Sequence, residues 1–90
     1  MATLTVTLPN GTIAKRRTER TYTHAVITEC HYENGRVSFS KPEWAGRLEL
    51  AQKNAAKHEA REAAYMACAT LPEDWNRLAS YRVHIIAVNP

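Results

Sequence analysis

Residues Ser40 to Leu71 read SKPEWAGRLELAQKNAAKHEAREAAYMACATL, and the rest of the chain has to be arranged around whatever this stretch becomes. It is the one segment with the length and composition of a long helix. Ser40 and Glu43 have the spacing of a capping box, in which the hydroxyl takes the amide three residues on and the carboxylate reaches back. Pro42 sits in the first turn, where a missing N–H costs nothing. At the other end Pro72 disfavours helical geometry at Leu71, so the spacing predicts a helix from Ser40 to about Thr70. Gly46 is the strongest breaker in an otherwise alanine-rich run of high helix propensity. Glu43 and Arg47, and Glu49 and Lys53, are acid-first pairs four apart.

The faces of this helix conflict. Trp44, Leu48, Ala51 and Ala55 form one stripe, and Ala56, Ala60, Ala63, Ala67 and Leu71 form another, rotated by more than a quarter turn. Thirty residues would span about 45 Å, against a radius of gyration of about 12 Å for a compact chain of this size. Either the helix bends near Asn54 to His58 or one end overhangs. The stripe Ala56, Ala60, Ala63, Ala67 lets another backbone approach closely and is the expected interaction face, with a homodimer as the expected result.

On the N-terminal side, Leu4, Val6 and Leu8 alternate with Thr3, Thr5 and Thr7, the period of a strand with one buried face. Pro9-Asn10-Gly11 supplies a turn, the chain returns through Thr12 to Arg17, and a basic connector over Arg16 to Thr21 leads to a strand from Tyr22 to Tyr32. A two-residue turn at Asn34-Gly35 sets Tyr32 opposite Val37 and Cys30 opposite Phe39. Tyr22, His24, Val26, Cys30, Tyr32, Val37 and Phe39 then share the core face, and Glu29, His31, Ser38 and Ser40 face outward. Beyond the helix, Pro72-Glu73-Asp74 begins a short second helix to about Leu78, with Trp75 and Leu78 capping the core. Tyr81 to Val88 is a last, β-branched strand. The expected fold class is α+β: one domain over residues 1–90, with a mostly antiparallel sheet of about five strands in the order β-β-β-β-α-β packed on one long helix.

The 90 residues carry 12 Lys and Arg against 9 Asp and Glu, a formal charge of +3. Lys15, Arg16, Arg17 and Arg20 against Glu19 account for the whole excess. This balance excludes an acidic mimic of nucleic acid and allows a modest attraction for phosphate. The apolar runs are too short to span a membrane and the N-terminus lacks the pattern of a signal peptide, so the expectation is an intracellular protein with Cys30 and Cys68 as buried thiols. One disulfide between them stays open if the compartment is oxidising.

Chemistry is hard to find in the pattern. His24, Cys30, His31, His58, Cys68 and His84 have none of the spacings of a metal site, so no metal and no cofactor is expected. Cys30 and His31 point to opposite faces of a strand and cannot form a dyad, while His24 lies about 20 Å from Cys30 along it. Glu59 and Glu62 read as a solvated helix edge. No glycine-rich phosphate loop or nucleophile elbow is present, and the chain is read as a non-enzyme.

Two resemblances add context. Lys53-Asn54-Ala55-Ala56-Lys57 followed by Ala60, Ala63 and Ala64 resembles the K-K-x-A-K-x-x-A-A helix of double-stranded RNA-binding domains, with the matching β-β-α order over residues 22–70. It departs from that pattern at Asn54 and in a helix that starts three turns early. The resemblance implies phosphate contacts from Lys53 and Lys57, joined on this chain to Lys15, Arg16, Arg17 and Arg20. Thr5 to Gly11, TVTLPNG, and Arg20 to Val26, RTYTHAV, resemble segments of short uncharacterised proteins encoded by phages of actinobacteria. That resemblance implies an accessory protein made in the cytoplasm of an infected cell, which binds a host protein and can be toxic or inhibitory to the host.

Overall fold

The computed structural model describes residues 2–68 and 77–89. The chain is α+β: strand β1 (Ala2–Thr7), β2 (Ile13–Thr18), β3 (His24–Tyr32), β4 (Val37–Phe39) and β5 (Glu43–Ala45), helix α1 (Leu48–Met66) and strand β6 (Leu78–Ala87). The proposed short helix after Pro72 and the place of Trp75 lie outside the described residues; Leu78 opens β6.

Strand β3 is the axis of a four-stranded antiparallel sheet. One of its edges pairs with β6 along nearly its whole length, and the other is shared by β4 and β5. Strands β1 and β2 form a separate antiparallel hairpin. The consecutive residues Ala25, Val26, Ile27 and Thr28 are all buried, which in a strand means that both faces are covered. On the face of Ala25 and Ile27 lie Val6 and Leu8 of the hairpin region, with Ala14, Phe39, Trp44, Ile86 and Val88 packed around them. On the face of Val26 lie Ala45, Ala51, Ala55 and Val83. The sheet is thus the middle layer, between the hairpin and the helix.

The helix is shorter than the sequence suggests, 19 residues or about 28 Å. Ser40 caps nothing: its hydroxyl accepts the Thr28 N–H at 2.8 Å and its own N–H donates to the Thr28 carbonyl at 2.9 Å. Glu43, Trp44 and Ala45 are strand residues opposite Val26, Ala25 and His24. The reason is the edge of β3, whose buried N–H and C=O groups need partners; the segment 40–45 provides them, and tertiary pairing overrides its local helix signals. With this, the supposed Glu43–Arg47 helix pair disappears, and so does the overhang from which a dimer was argued. The buried stripe is Ala51, Asn54, Ala55 and His58. Ala51 and Ala55 belong to the first expected stripe, but Trp44 is in β5 and Leu48 is exposed.

Both Asn-Gly turns are present, each one residue longer than a two-residue turn. Tyr32 N–H donates to the Arg36 carbonyl at 2.9 Å and Gly35 N–H to the Tyr32 carbonyl at 3.0 Å; Leu8, Thr12 and Gly11 repeat this at 2.8 and 2.9 Å. Each is a three-residue loop closed by a glycine of positive φ, +88° at Gly35 and +87° at Gly11, the geometry of a type I turn with a glycine bulge. Asn10 and Asn34 side chains each accept the amide two residues on, at 3.0 Å. The extra residue shifts the register by one, so Phe39 stands opposite Glu29, Ser38 opposite Cys30 and Val37 opposite His31. A shift of one moves every side chain to the other face. Phe39 therefore packs with Ile27 on the hairpin side, Val37 is exposed, and the grouping of Phe39 with Cys30 is corrected.

Candidate functional site

The helix packs across β3 and β6, and its successive turns meet successive residues of one face of β3. Ala51 and Ala55 pack on Val26, His58 reaches Thr28, and Glu62 reaches Cys30, with Sγ 3.8 Å from Oε2. Glu43 of β5 is opposite Val26, hence on the same face, and its Oε2 lies 2.5 Å from His58 Nε2. A carboxylate only accepts, so Nε2 carries the proton and Nδ1 is the acceptor. Nδ1 is reached by the Thr28 hydroxyl at 2.9 Å and by the Arg61 guanidinium at 3.2 Å. Hydroxyl, imidazole and carboxylate in this order resemble an activated nucleophile, but Thr28 is 1% exposed. No substrate reaches an oxygen in the middle of a covered sheet, so the three residues form a latch between helix and strands. Among the described residues every buried side-chain N or O has a partner, and His58 supplies the partner for Thr28.

A second polar cluster occupies the opposite face of β3, beyond the reach of the hairpin. Glu29 and His31, two apart in the strand, point the same way; His84 of β6 is opposite Ile27 and joins them. Glu29 Oε1 accepts from His84 Nε2 at 2.9 Å, and Oε2 accepts from His31 Nε2. These hydrogen bonds, His31 before His84, hold the Glu29 carboxyl below the usual carboxylate range against the opposing effect of desolvation. Arg82 stands opposite Glu29 and Ser80 opposite His31, and with Tyr81 they line a cleft of about 290 Å³. Among the described residues no group of three or more His, Cys, Asp or Glu is arranged to hold a metal ion. The carboxylate lies between the two rings as their shared acceptor.

The sequence singles out none of these contacts. Glu29 and His31 were legible as a same-face pair in a strand, but His84 joins them only through the β3–β6 register, and His58 meets Glu43 only because 43–45 is a strand. Cys30 is buried and Cys68 is exposed, with no disulfide, which corrects the reading of two buried thiols. Burial, then the adjacent Glu62 charge, pushes the Cys30 thiol up. Less thiolate means less reactivity.

Lys15, Arg16 and Arg17 lie in β2, opposite Thr5, Leu4 and Thr3, so the expected basic connector is largely a strand. Lys15, Arg17, Thr3 and Thr5 form one face of the hairpin, and the Arg16 guanidinium sits over the Tyr22 ring, 5.1 Å from its centroid. Arg20 follows the strand and is exposed. Lys53 and Lys57 are exposed on the helix, in the layer on the far side of the sheet. The six residues are thus brought together as three or four in one layer and two in another.

Ala56, Ala60, Ala63 and Ala67 are exposed. At 100° per residue they fall on the side of the helix opposite Ala51, Asn54, Ala55 and His58, facing away from the sheet. Among the described residues no helix is long and apolar enough to cross a membrane. No family model, no curated protein and no solved structure matches the chain.

Proposed function

We propose that this chain is a non-catalytic accessory protein of the phage type, which binds a host protein in the host cytoplasm through the outward face of α1. The observation that carries this reading is the composition of that face. A solvated helix surface ordinarily carries charged and polar groups, yet Ala56, Ala60, Ala63 and Ala67 present about three turns of small apolar side chains, exposed and directed away from the sheet. Small residues allow a partner backbone to come close, and they lose no side-chain entropy on burial.

The nucleic-acid reading needs one continuous basic surface from Lys15, Arg16, Arg17 and Arg20 to Lys53 and Lys57. The middle sheet separates the two groups, and each alone offers few phosphate contacts.

Affinity capture from a host lysate, with and without nuclease, tests the choice. The expected result is a protein partner that survives nuclease and is lost when Ala60 and Ala63 are both changed to Glu. Exposed alanines in a helix tolerate Glu with little loss of stability, so the loss would report contact rather than unfolding. Retention by the double variant would refute the helix face as the site. Loss on nuclease treatment, with a log K against log salt slope reduced by about 0.9 for each of Arg16, Arg17 and Arg20 neutralised, would put nucleic acid in the partner's place.

A further inference from the structure

The two edges of the four-stranded sheet are finished differently. Along one edge β4 and β5 are three residues each, and Lys41-Pro42 stands between them, the sort of interruption that blunts an edge. Along the other, β6 runs for ten residues, LASYRVHIIA, with no proline, no lysine and Arg82 as its one charge. Among the described residues its pairing is with β3 alone.

Which backbone groups of β6 are open follows from the alternation of an antiparallel ladder. Asn89, just past the strand, exchanges both its bonds with Thr5 on the outer side, at 2.8 and 2.9 Å, while Val88 N–H turns inward to the Thr23 carbonyl at 2.9 Å. Stepping back by twos from Asn89, the N–H and C=O of Ala87, Ile85, Val83 and Tyr81 point outward. Those of Ile86, His84, Arg82 and Ser80 point to β3. On the β3 side the same parity holds, since Thr28 and Tyr32 direct their amides to the β4 edge. Among the described residues the open row is therefore four residues long, closed at one end by the Thr5–Asn89 pair and ended at the other by the register shift at Ala79, between the pairs His31–Ser80 and Tyr32–Leu78, so that it is centred on His84.

We propose that this row is the contact of a twofold dimer, in which a second copy of the chain lays its own β6 antiparallel along it with His84 opposite His84. A row of four self-pairs completely in this one register: Tyr81 with Ala87 of the copy, Val83 with Ile85, and the reverse pairs, giving about eight backbone hydrogen bonds. The contact is isologous and closes on itself. Apolar Val83 meets apolar Ile85, whose side chain is 38% exposed in the single chain. The two Arg82 residues are offset by four positions, about 13 Å, so the one fixed charge of the strand does not meet its own copy. A twofold axis normal to the sheet leaves both helices on one side of a continuous sheet, and the Ala56–Ala67 face takes no part in the strand pairing. The dimer contact does not depend on the partner proposed above.

The test combines mass and amide exchange on the unmodified protein. Sedimentation at about 1 to 100 μM should show a species of twice the 10.2 kDa chain mass gaining population. Over the same range the amides of Tyr81, Val83, Ile85 and Ala87 should slow by at least about tenfold, while those of Arg82, His84 and Ile86 are slow throughout. Ile85→Pro removes one outward N–H without touching a bond to β3, a place where an edge strand tolerates proline, and should be monomeric; Ile85→Val should stay dimeric. A monomer at 100 μM would overturn the proposal, and so would a dimer whose four outward amides exchange freely. Should Ile85→Pro fail to fold, the exchange pattern of the wild type still decides. Partner capture lost through Ala60 and Ala63 but kept by a monomeric Ile85→Pro would separate the two surfaces.

Discussion

The two faces of β3 are held by different physics. On the hairpin face large apolar groups interlock, with Ile27 fully buried against Val6 and Leu8 and ringed by Phe39, Trp44 and Ile86. On the helix face the apolar contact is small, Val26 and Val83 on three alanines, and beside it runs a polar seam of Thr28, His58, Glu43, Cys30 and Glu62. The first face draws its stability from area removed from water, while the second depends on each polar group keeping its partner. A helix packed through alanines comes close enough for that seam to form, at the cost of hydrophobic area.

The largest effect should come from breaking the hairpin face. Ile27→Ala opens a cavity where the neighbours cannot collapse from either side, and a loss of about 3 to 5 kcal/mol is expected. For a chain of this size that approaches the whole stability. Urea unfolding followed by tryptophan fluorescence would measure it, and a loss below about 1 kcal/mol would mean that the hairpin does not seal this face.

The helix face should respond by coupling more than by size. His58→Ala leaves the Thr28 hydroxyl without its acceptor in a buried place and is expected to destabilise by roughly 1 to 3 kcal/mol. Thr28→Val keeps the shape and removes the hydroxyl, so on that background the same His58 change should cost less by about 1 kcal/mol. Additive losses would show that the latch is incidental. The seam also shields its thiol: in the folded protein a thiol reagent should modify the exposed Cys68 quickly and the buried Cys30 slowly, with denaturant removing the difference.

The two faces were unequally legible in the sequence. The alternation Leu4, Val6, Leu8 announces the hairpin's buried side without any partner being known, and all three residues are buried. The run Ala25 to Thr28 carries the signature of a strand covered twice, but His24 and Tyr22 before it suggest one-sided burial when the register of the next turn is taken as two residues. That register hung on one feature, whether Gly35 is the second residue of a two-residue loop or the closing residue of a three-residue loop. Asn-Gly fits both, and the difference moved Phe39 across the sheet. The helix start failed for a related reason. Ser40, Pro42 and Glu43 satisfy a local rule, yet the open edge of β3 satisfies two backbone groups at Ser40 alone, and the edge is invisible until the sheet exists. The polar clusters are products of register: Glu29 with His84 and Glu43 with His58 are separated by 55 and 15 residues, and no spacing announces them.

The smallest effect, and the one that sharpens the comparison, concerns Glu29, the polar outpost of the hairpin face. Its carboxyl is held below the usual 4.5 by the hydrogen bonds of His31 and His84. A carboxyl lowered in the folded state contributes stability above its unfolded value, and that contribution is lost as pH falls through 4.5 toward the folded value. Glu29→Gln keeps the shape and the acceptor oxygen but cannot ionise. The stability difference between wild type and variant should therefore shrink steadily as the pH falls below 4.5. Val26→Ala, on the other face, should lie parallel to the wild type over the same range, because it removes neither a titrating group nor the hydrogen-bond partner of one. Urea midpoints measured at a series of pH values for all three proteins would show it. A Glu29→Gln curve parallel to the wild type through the acid range would mean that the two histidines do not hold the carboxylate in solution, and that this end of the face is ordinary solvated surface.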